Sequence, residues 1–473
     1  MEVEERLSSA SNDGRVWLQT GIPGLDTVLS GGLLQGGLYL IEGLAGSGKT
    51  ILGFQTALTY ARRNERVVVM TLLAESHGKL IDHLRGFEFF DGAVIAQSFQ
   101  LLSGYGAAKA GLPALLRLLA ETLVRERPKL LIIDGFSGVR GFAEREQDYA
   151  HFLLELNALN TAAGCTGLLL ATSDGSGHAA QHALVDGIVE LTTSVFGVRR
   201  IRQLEVHKFR GADPISGRHA FAITRQGIRV FPRLEAVGTR RVSEAEIAVR
   251  RLGFGIEELD TMLFGGLVEG STTTLIGPPG IGKTSLALKF LEAGAKSGER
   301  CLYFGFYEPP VRLLTKAQGM GIELQEAHAE GRFVVDWRAP LEVLLDQVVE
   351  DLIERVETLK PARLVIDGLN GLRDAVVNEE RDQPFTAALL NDLKARGVTT
   401  LITEELPFQF EGASSPTRSA QFVDNIIHLR YAHGDGPAQR ELSIIKIRDS
   451  DHDMSTRGFS VTSSGVTIAK HSL

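Results

Sequence analysis

The 473-residue sequence predicts an α/β protein of two tandem P-loop domains, each a mainly parallel sheet covered by helices. Three observations predict it. The pattern G-x-x-x-x-G-K-[ST] occurs twice, at Gly43–Thr50 (GLAGSGKT) and Gly277–Thr284 (GPPGIGKT). The preceding segments, Thr20–Gly37 and Phe254–Ser271, align with GI, LDT, L and GGL in register, at the same offset of 234 residues as the loops. Within each copy, short apolar runs alternate with stretches of helical periodicity. A repeat this long means duplication of whole domains, not a solenoid.

Taken in order, residues 1–15 are polar and expected to be disordered. They lack the apolar core of a signal peptide, and no run of 18 apolar residues follows, so a soluble cytoplasmic protein is expected. Domain one is placed at 16–235, a charged linker containing Arg240 and Arg241 at 236–250, and domain two at 251–473. In the first copy, the strand Leu38–Ile41 leads into the loop, and Ile51, Phe54 and Leu58 mark the buried face of a helix leaving it. Further strands are expected at Val67–Leu73, Leu130–Ile133, Gly167–Ala171 and Ile188–Leu191. The second copy repeats the pattern: Thr272–Ile276, a helix marked by Leu286, Phe290 and Ala293, then Cys301–Phe306, Leu364–Ile366, Thr399–Ile402 and Asn425–Leu429.

The loops carry the first chemistry. Gly43, Gly46 and Gly48, like Gly277, Gly280 and Gly282, can adopt backbone conformations closed to other residues and leave no Cβ between chain and ligand. With Ser47 and Ile281 between them, their amides form a phosphate cradle at the positive end of a helix. Lys49 and Lys283 are placed to reach the β- and γ-phosphates, and the Thr50 and Thr284 hydroxyls to ligate Mg²⁺. Asp134 and Asp367 each end an apolar strand, as a second Mg²⁺-holding group should. Glu75 and Glu308 follow the strand after the loop helix, where a carboxylate can orient or deprotonate an attacking water. Late in each domain, Lys208 with Arg210 and Lys446 with Arg448 alternate along a strand and so share one face. Two adjacent cations repel unless an anion faces them. Either a neighbouring subunit's γ-phosphate does so, or the charges serve to keep a solvated edge strand from aggregating.

Composition narrows the alternatives. A net charge of −8 argues against a mainly electrostatic nucleic-acid binder without excluding a local basic channel. Cys165 and Cys301 lie in or beside apolar runs and read as buried thiols, and no Cys/His metal site is supported.

With these residues in view, the chain resembles the KaiC-type branch of RecA-like ATPases. The likeness runs from Thr20 to about Ile468: tandem GI-x-x-LD-x-x-L-x-GGL segments, two P-loops, two strands ending in Asp, and two K-x-R strands with the turns that follow. The resemblance implies RecA-like domains, ATP and Mg²⁺ as ligands, a ring, usually a two-tiered hexamer, and ATP at subunit interfaces. It implies that Glu75 and Glu308 are the catalytic carboxylates and that Lys208, Arg210, Lys446 and Arg448 reach the adjacent subunit's nucleotide. There are departures. Clock-type members carry two adjacent Glu where this chain has Ala74-Glu75 and Tyr307-Glu308. Their autophosphorylated Ser-Thr pair corresponds, in the register of Asp424, to Ala420 and Gln421, with Ser414, Ser415, Thr417 and Ser419 nearby. The chain ends at Leu473 without the long regulatory tail of the clock protein, and a circadian role is not implied.

The expected function is therefore a ring-forming regulatory ATPase acting on an unknown protein partner, with Ser/Thr autokinase activity left open. The alternative is a RadA-like recombination ATPase that meets single-stranded DNA through Gly135–Asp148 and Gly368–Gln383. Acidic residues match the basic ones in those loops, and aromatic stacking platforms are nearly absent. Both P-loops retain Lys and Thr, so neither copy reads as dead.

Overall fold

The computed structural model describes residues 16–72, 77–173, 183–238, 250–339, 344–375, 378–406, 419–432, 439–448 and 450–470. The chain divides into two compact units between Val237 and Gly238.

Unit one is built on strands β1 (Leu38–Gly43), β2 (Val67–Thr71), β3 (Phe99–Ser103), β4 (Leu130–Asp134), β5 (Thr166–Thr172), β6 (Gly187–Phe196), β7 (Arg199–Phe209), β8 (His219–Thr224) and β9 (Gly227–Phe231). They form one sheet in the order β9-β8-β7-β6-β1-β5-β4-β2-β3. From β3 across to β6 the pairings are parallel, and from β6 to β9 they are antiparallel.

The apolar runs become strands because both faces of the sheet are covered. Val67 and Val69 of β2 enter one core while Val68 and Met70 enter the other, and β4 splits the same way, Leu130 and Ile132 against Leu131 and Ile133. Helix α1 (Lys49–Arg62) covers the first face with Leu52, Phe54, Ala57 and Leu58. Helix α2 (His77–Leu84) adds Leu84 to that core. Helices α3 (Leu112–Glu126) and α4 (Glu146–Ala163) cover the second with Leu115, Leu119, Phe152 and Leu156.

Unit two repeats this plan with β10 (Thr272–Gly277), β11 (Cys301–Gly305), β12 (Phe333–Trp337), β13 (Arg363–Asp367), β14 (Thr399–Glu405), β15 (Asn425–Tyr431), β16 (Arg440–Ile447), β17 (Arg457–Thr462) and β18 (Gly465–Ile468). Their order is β18-β17-β16-β15-β10-β14-β13-β11-β12. Helix α5 (Lys283–Lys296) follows the second loop and α6 (Pro310–Gly319) follows β11. The predicted fold class is thus found in both copies, with strand ends within a few residues of those expected.

The shared lead-in has a local cause. Asp26 accepts hydrogen bonds from the Thr20 amide and hydroxyl, both 2.8 Å, and Asp260 accepts from the amides of Phe254 (2.6 Å) and Gly255 (3.0 Å). The Asp of GI-x-x-LD therefore closes the turn that the Gly opens.

Candidate active sites

Each loop sits where the central strand, β1 or β10, meets a 14-residue helix. The glycines are required here. Gly46 and Gly48 have φ of 76° and 111°, and Gly280 and Gly282 have 74° and 117°. A Cβ on Gly43 would lie 2.2 Å from the Leu191 carbonyl oxygen, and one on Gly277 would lie 2.5 Å from that of Leu429. Ser47 and Ile281 are buried between them. Among the described residues no side chain caps either helix, leaving its amino end to the loop.

Lys49 curls back over its loop, donating to the carbonyls of Gly43 (2.7 Å) and Leu44 (2.9 Å). Lys283 does the same with Gly277 (2.8 Å) and Pro278 (2.9 Å). Burial pushes both ammonium groups below the usual lysine range, and a nearby carboxylate opposes this, Asp134 in the first site and Glu405 followed by Asp367 in the second.

Beside each lysine, a threonine meets the aspartate of a neighbouring strand. Thr50 Oγ1 donates to Asp134 Oδ2 at 3.1 Å, and Thr284 Oγ1 to Asp367 Oδ2 at 3.0 Å. The aspartates are held differently. Asp134 Oδ1 accepts from the Gly135 amide at 2.9 Å. Asp367 accepts from Tyr303 Oη at 2.5 Å and from Thr403 Oγ1 at 2.5 Å. Tyr303 and Thr403 were not singled out by sequence reasoning, because their partner lies 64 and 36 residues away and only strand pairing brings them together.

Glu308 lies after β11, with its Oε1 2.5 Å from Lys316 Nζ of α6. Lys316 was also missed; no motif marks it. Glu75, the corresponding residue of unit one, lies outside the described residues. A cleft of about 280 Å³ beside Thr50 and Asp134 is lined by Ile51, Leu80, His83, Leu84 and Phe87.

The four K-x-R cations lie elsewhere. Lys208 pairs with Ile188 across β6–β7, and Lys446 with Ile426 across β15–β16. Both ladders carry a bulge there, with His207 and Ile445 as the extra residues. The two cations of each pair do share a face. Lys208 and Arg210 both donate to the Ala183 carbonyl, at 3.0 and 3.3 Å, and Arg210 also meets Asp186 at 3.4 Å. Lys446 donates to Ala420 (2.9 Å) and Val423 (2.7 Å), and Arg448 to Gln421 (3.0 Å). Burial, then the neighbouring arginine, lowers the pKa of Lys208 and of Lys446.

Their position follows from the register. Arg210 is level with Asp186, and Asp186 with Leu38 at the start of β1. The loop begins five residues later, at Gly43. Unit two matches: Ile447 pairs with Asn425, which stands beside Thr273 near the start of β10. Lys208 and Lys446, level through Ile188 and Ile426 with Leu40 and Thr274, stand two residues nearer. Each K-x-R arginine therefore lies at the amino edge of its sheet, about 17 Å along the strands from the loop at the carboxyl edge, and each lysine about 10 Å from it.

Other predicted features resolve differently. Arg140 is paired with Glu146 at 2.9 Å, Arg373 with Asp382 at 3.2 Å and with Glu404, so these loop arginines already face carboxylates. Ser419 is buried and donates to Glu404, while Ser414, Ser415 and Thr417 lie outside the described residues. Both cysteines are buried free thiols. No helix among the described residues is long and apolar enough to cross a membrane.

The residues fit a Mg²⁺-bound nucleoside polyphosphate. The positive-φ loop before an uncapped helix suits phosphate, the buried lysine supplies charge, and a hydroxyl paired with a carboxylate is the oxygen donor set that a hard dication takes.

Comparison with known proteins agrees. The family described as "ATPase: KaiC" matches residues 18–235 and again 252–472. The chain is 28% identical to the circadian clock protein KaiC3 of a Synechocystis species, over 97% of this chain and 92% of that protein. It is 29% identical to the circadian clock oscillator protein KaiC of Parathermosynechococcus lividus, over 95% and 85%, and 26% identical to that of Synechococcus elongatus, over 95% and 88%. Two family matches that together span nearly the whole chain, each containing one loop, place this protein in the KaiC ATPase family.

Proposed function

We propose that the chain hydrolyses ATP at two sites, each completed by the neighbouring copy in a ring-shaped homo-oligomer, with a hexamer expected from the resemblance. The observation that carries this is the placement of Arg210 and Arg448 at the amino edge of their sheets, about 17 Å along the strands from the loop of their own unit and too far to serve it, with Lys208 and Lys446 beside them. In a ring, the amino edge of one sheet can face the loop of the next subunit.

Within one site the chain's residues divide the work. The loop amides and Lys49 or Lys283 hold the phosphates, Lys exchanging its carbonyl contacts for them. Thr50 with Asp134, and Thr284 with Asp367, would hold Mg²⁺, which when bound neutralises developing phosphate charge. Tyr303 and Thr403 fix Asp367 in one orientation. Glu308 takes the proton of the attacking water at a carboxylate oxygen, which requires it to loosen its pairing with Lys316; Glu75 is assigned the same role in unit one. The neighbour's Lys and Arg stabilise the transition state from the far side.

Assembly coupled to ATP makes the ring a switch whose surface an unidentified protein partner reads. At millimolar ATP and micromolar affinity, binding stabilises the assembled state by about 4 kcal/mol per site. The DNA reading is not favoured, since the arginines expected to meet a phosphate backbone are engaged with carboxylates. Size-exclusion chromatography with light scattering, with and without ATP and Mg²⁺, tests the assembly. An oligomer that forms or tightens with ATP is expected, and a monomer in both conditions would refute it.

A further inference from the structure

An exposed carboxylate stands beside the second loop where the first has a hydroxyl. At the end of β14, Glu405 stands in register with Gly277; at the same place in unit one, beside Gly43, β5 carries Thr172. Glu405 Oε1 lies 3.9 Å from Lys283 Nζ, the lysine assigned to the phosphates. Lys283 does not need this partner to be satisfied, because two loop carbonyls already accept from it. Nor is the carboxylate built into the core: its side chain is 53% exposed, in contrast to its buried neighbour Glu404. A carboxylate beside the lysine that receives an anion competes with that anion. It occupies part of the cation's charge and repels a second negative group brought to the same place.

We propose that Glu405 is a resident competitor at the second loop, lowering that loop's affinity for nucleotide and making the loss dependent on salt. The inference rests on the ATP reading above. Because Glu405 is half in solvent, screening limits its effect to about two- to five-fold in affinity.

The test isolates each site in the full-length chain. In the Lys49→Ala background, ATP and ADP binding to the second loop is measured by isothermal calorimetry with and without Glu405→Gln. The substitution is expected to tighten binding by about two- to five-fold at low salt, with the gain shrinking toward none in about 1 M salt. In the Lys283→Ala background, Thr172→Glu is expected to weaken the first loop by a similar factor. Measurable binding that Glu405→Gln leaves unchanged overturns the inference alone. Binding weakened by Glu405→Gln also overturns it and moves Glu405 to the metal-holding side. If the folded Lys49→Ala chain binds no nucleotide with either residue at position 405, the ATP reading of the second loop fails and the inference with it.

Discussion

Lys49 and Lys283 are buried cations that donate to the carbonyls of their own loops, an arrangement that readies them for an anion. Lys49→Ala and Lys283→Ala should each remove part of the phosphate-release rate, lowering turnover at the altered site by about 10²-fold or more; an unchanged rate in either would assign all hydrolysis to the other loop. Gly43 is a second sensitive point, with φ of 152° and the Leu191 carbonyl 2.2 Å from any added Cβ. Gly43→Ala should cost about 1–3 kcal/mol, read as a lower melting temperature. The thiols give a pH signature. Burial pushes Cys165 and Cys301 up from 9.0 to about 12. Because the folded value is the higher one, the stability this represents is complete below the unfolded pKa and disappears as pH rises through about 12. Melting temperature should therefore fall through that alkaline window. A thiol reagent near pH 8 should find both cysteines only after denaturant is added.

At the scale of elements, the bulged strands β7 and β16 carry Lys208 and Lys446 and lead into Arg210 and Arg448, the cations proposed to complete the sites. The double variant Arg210→Ala, Arg448→Ala should lose about 10³-fold in hydrolysis while keeping nucleotide binding and secondary structure, measured by phosphate release alongside calorimetry and circular dichroism. Much of this level was legible in the sequence. Runs such as Val67–Thr71 are apolar throughout because both sheet faces are covered, and the loops declare themselves through glycines that nothing else can replace. The alternation in RQLEVHKFRG placed Lys208 and Arg210 on one face, yet the extra residue His207 left no trace, since a bulge inserts one residue without changing composition. Tyr303, Thr403 and Lys316 were illegible for another reason. Tyr303 and Thr403 reach their carboxylate through strand pairing, which no local pattern encodes, and Lys316 reaches Glu308 across an eight-residue turn into α6 that no motif marks. Glu405 was within reach, because aligning the two copies sets it against Thr172.

For the whole molecule, the proposed ring has each chain provide loops at one edge of its sheets and completing cations toward the other, so that activity belongs to the assembly. Two inactive chains can then repair each other. Lys49→Ala, Lys283→Ala lacks both loops' lysines but keeps its K-x-R strands; Arg210→Ala, Arg448→Ala has the opposite defect. In an equal random mixture, about a quarter of the interfaces join an intact loop to an intact cation pair. The most direct measurement is the ATPase rate of that mixture, assembled with ATP and Mg²⁺. Recovery to about a quarter of the unmodified rate is predicted. A mixture as inactive as either variant alone, with both assembling normally, would contradict sites completed by a neighbouring chain.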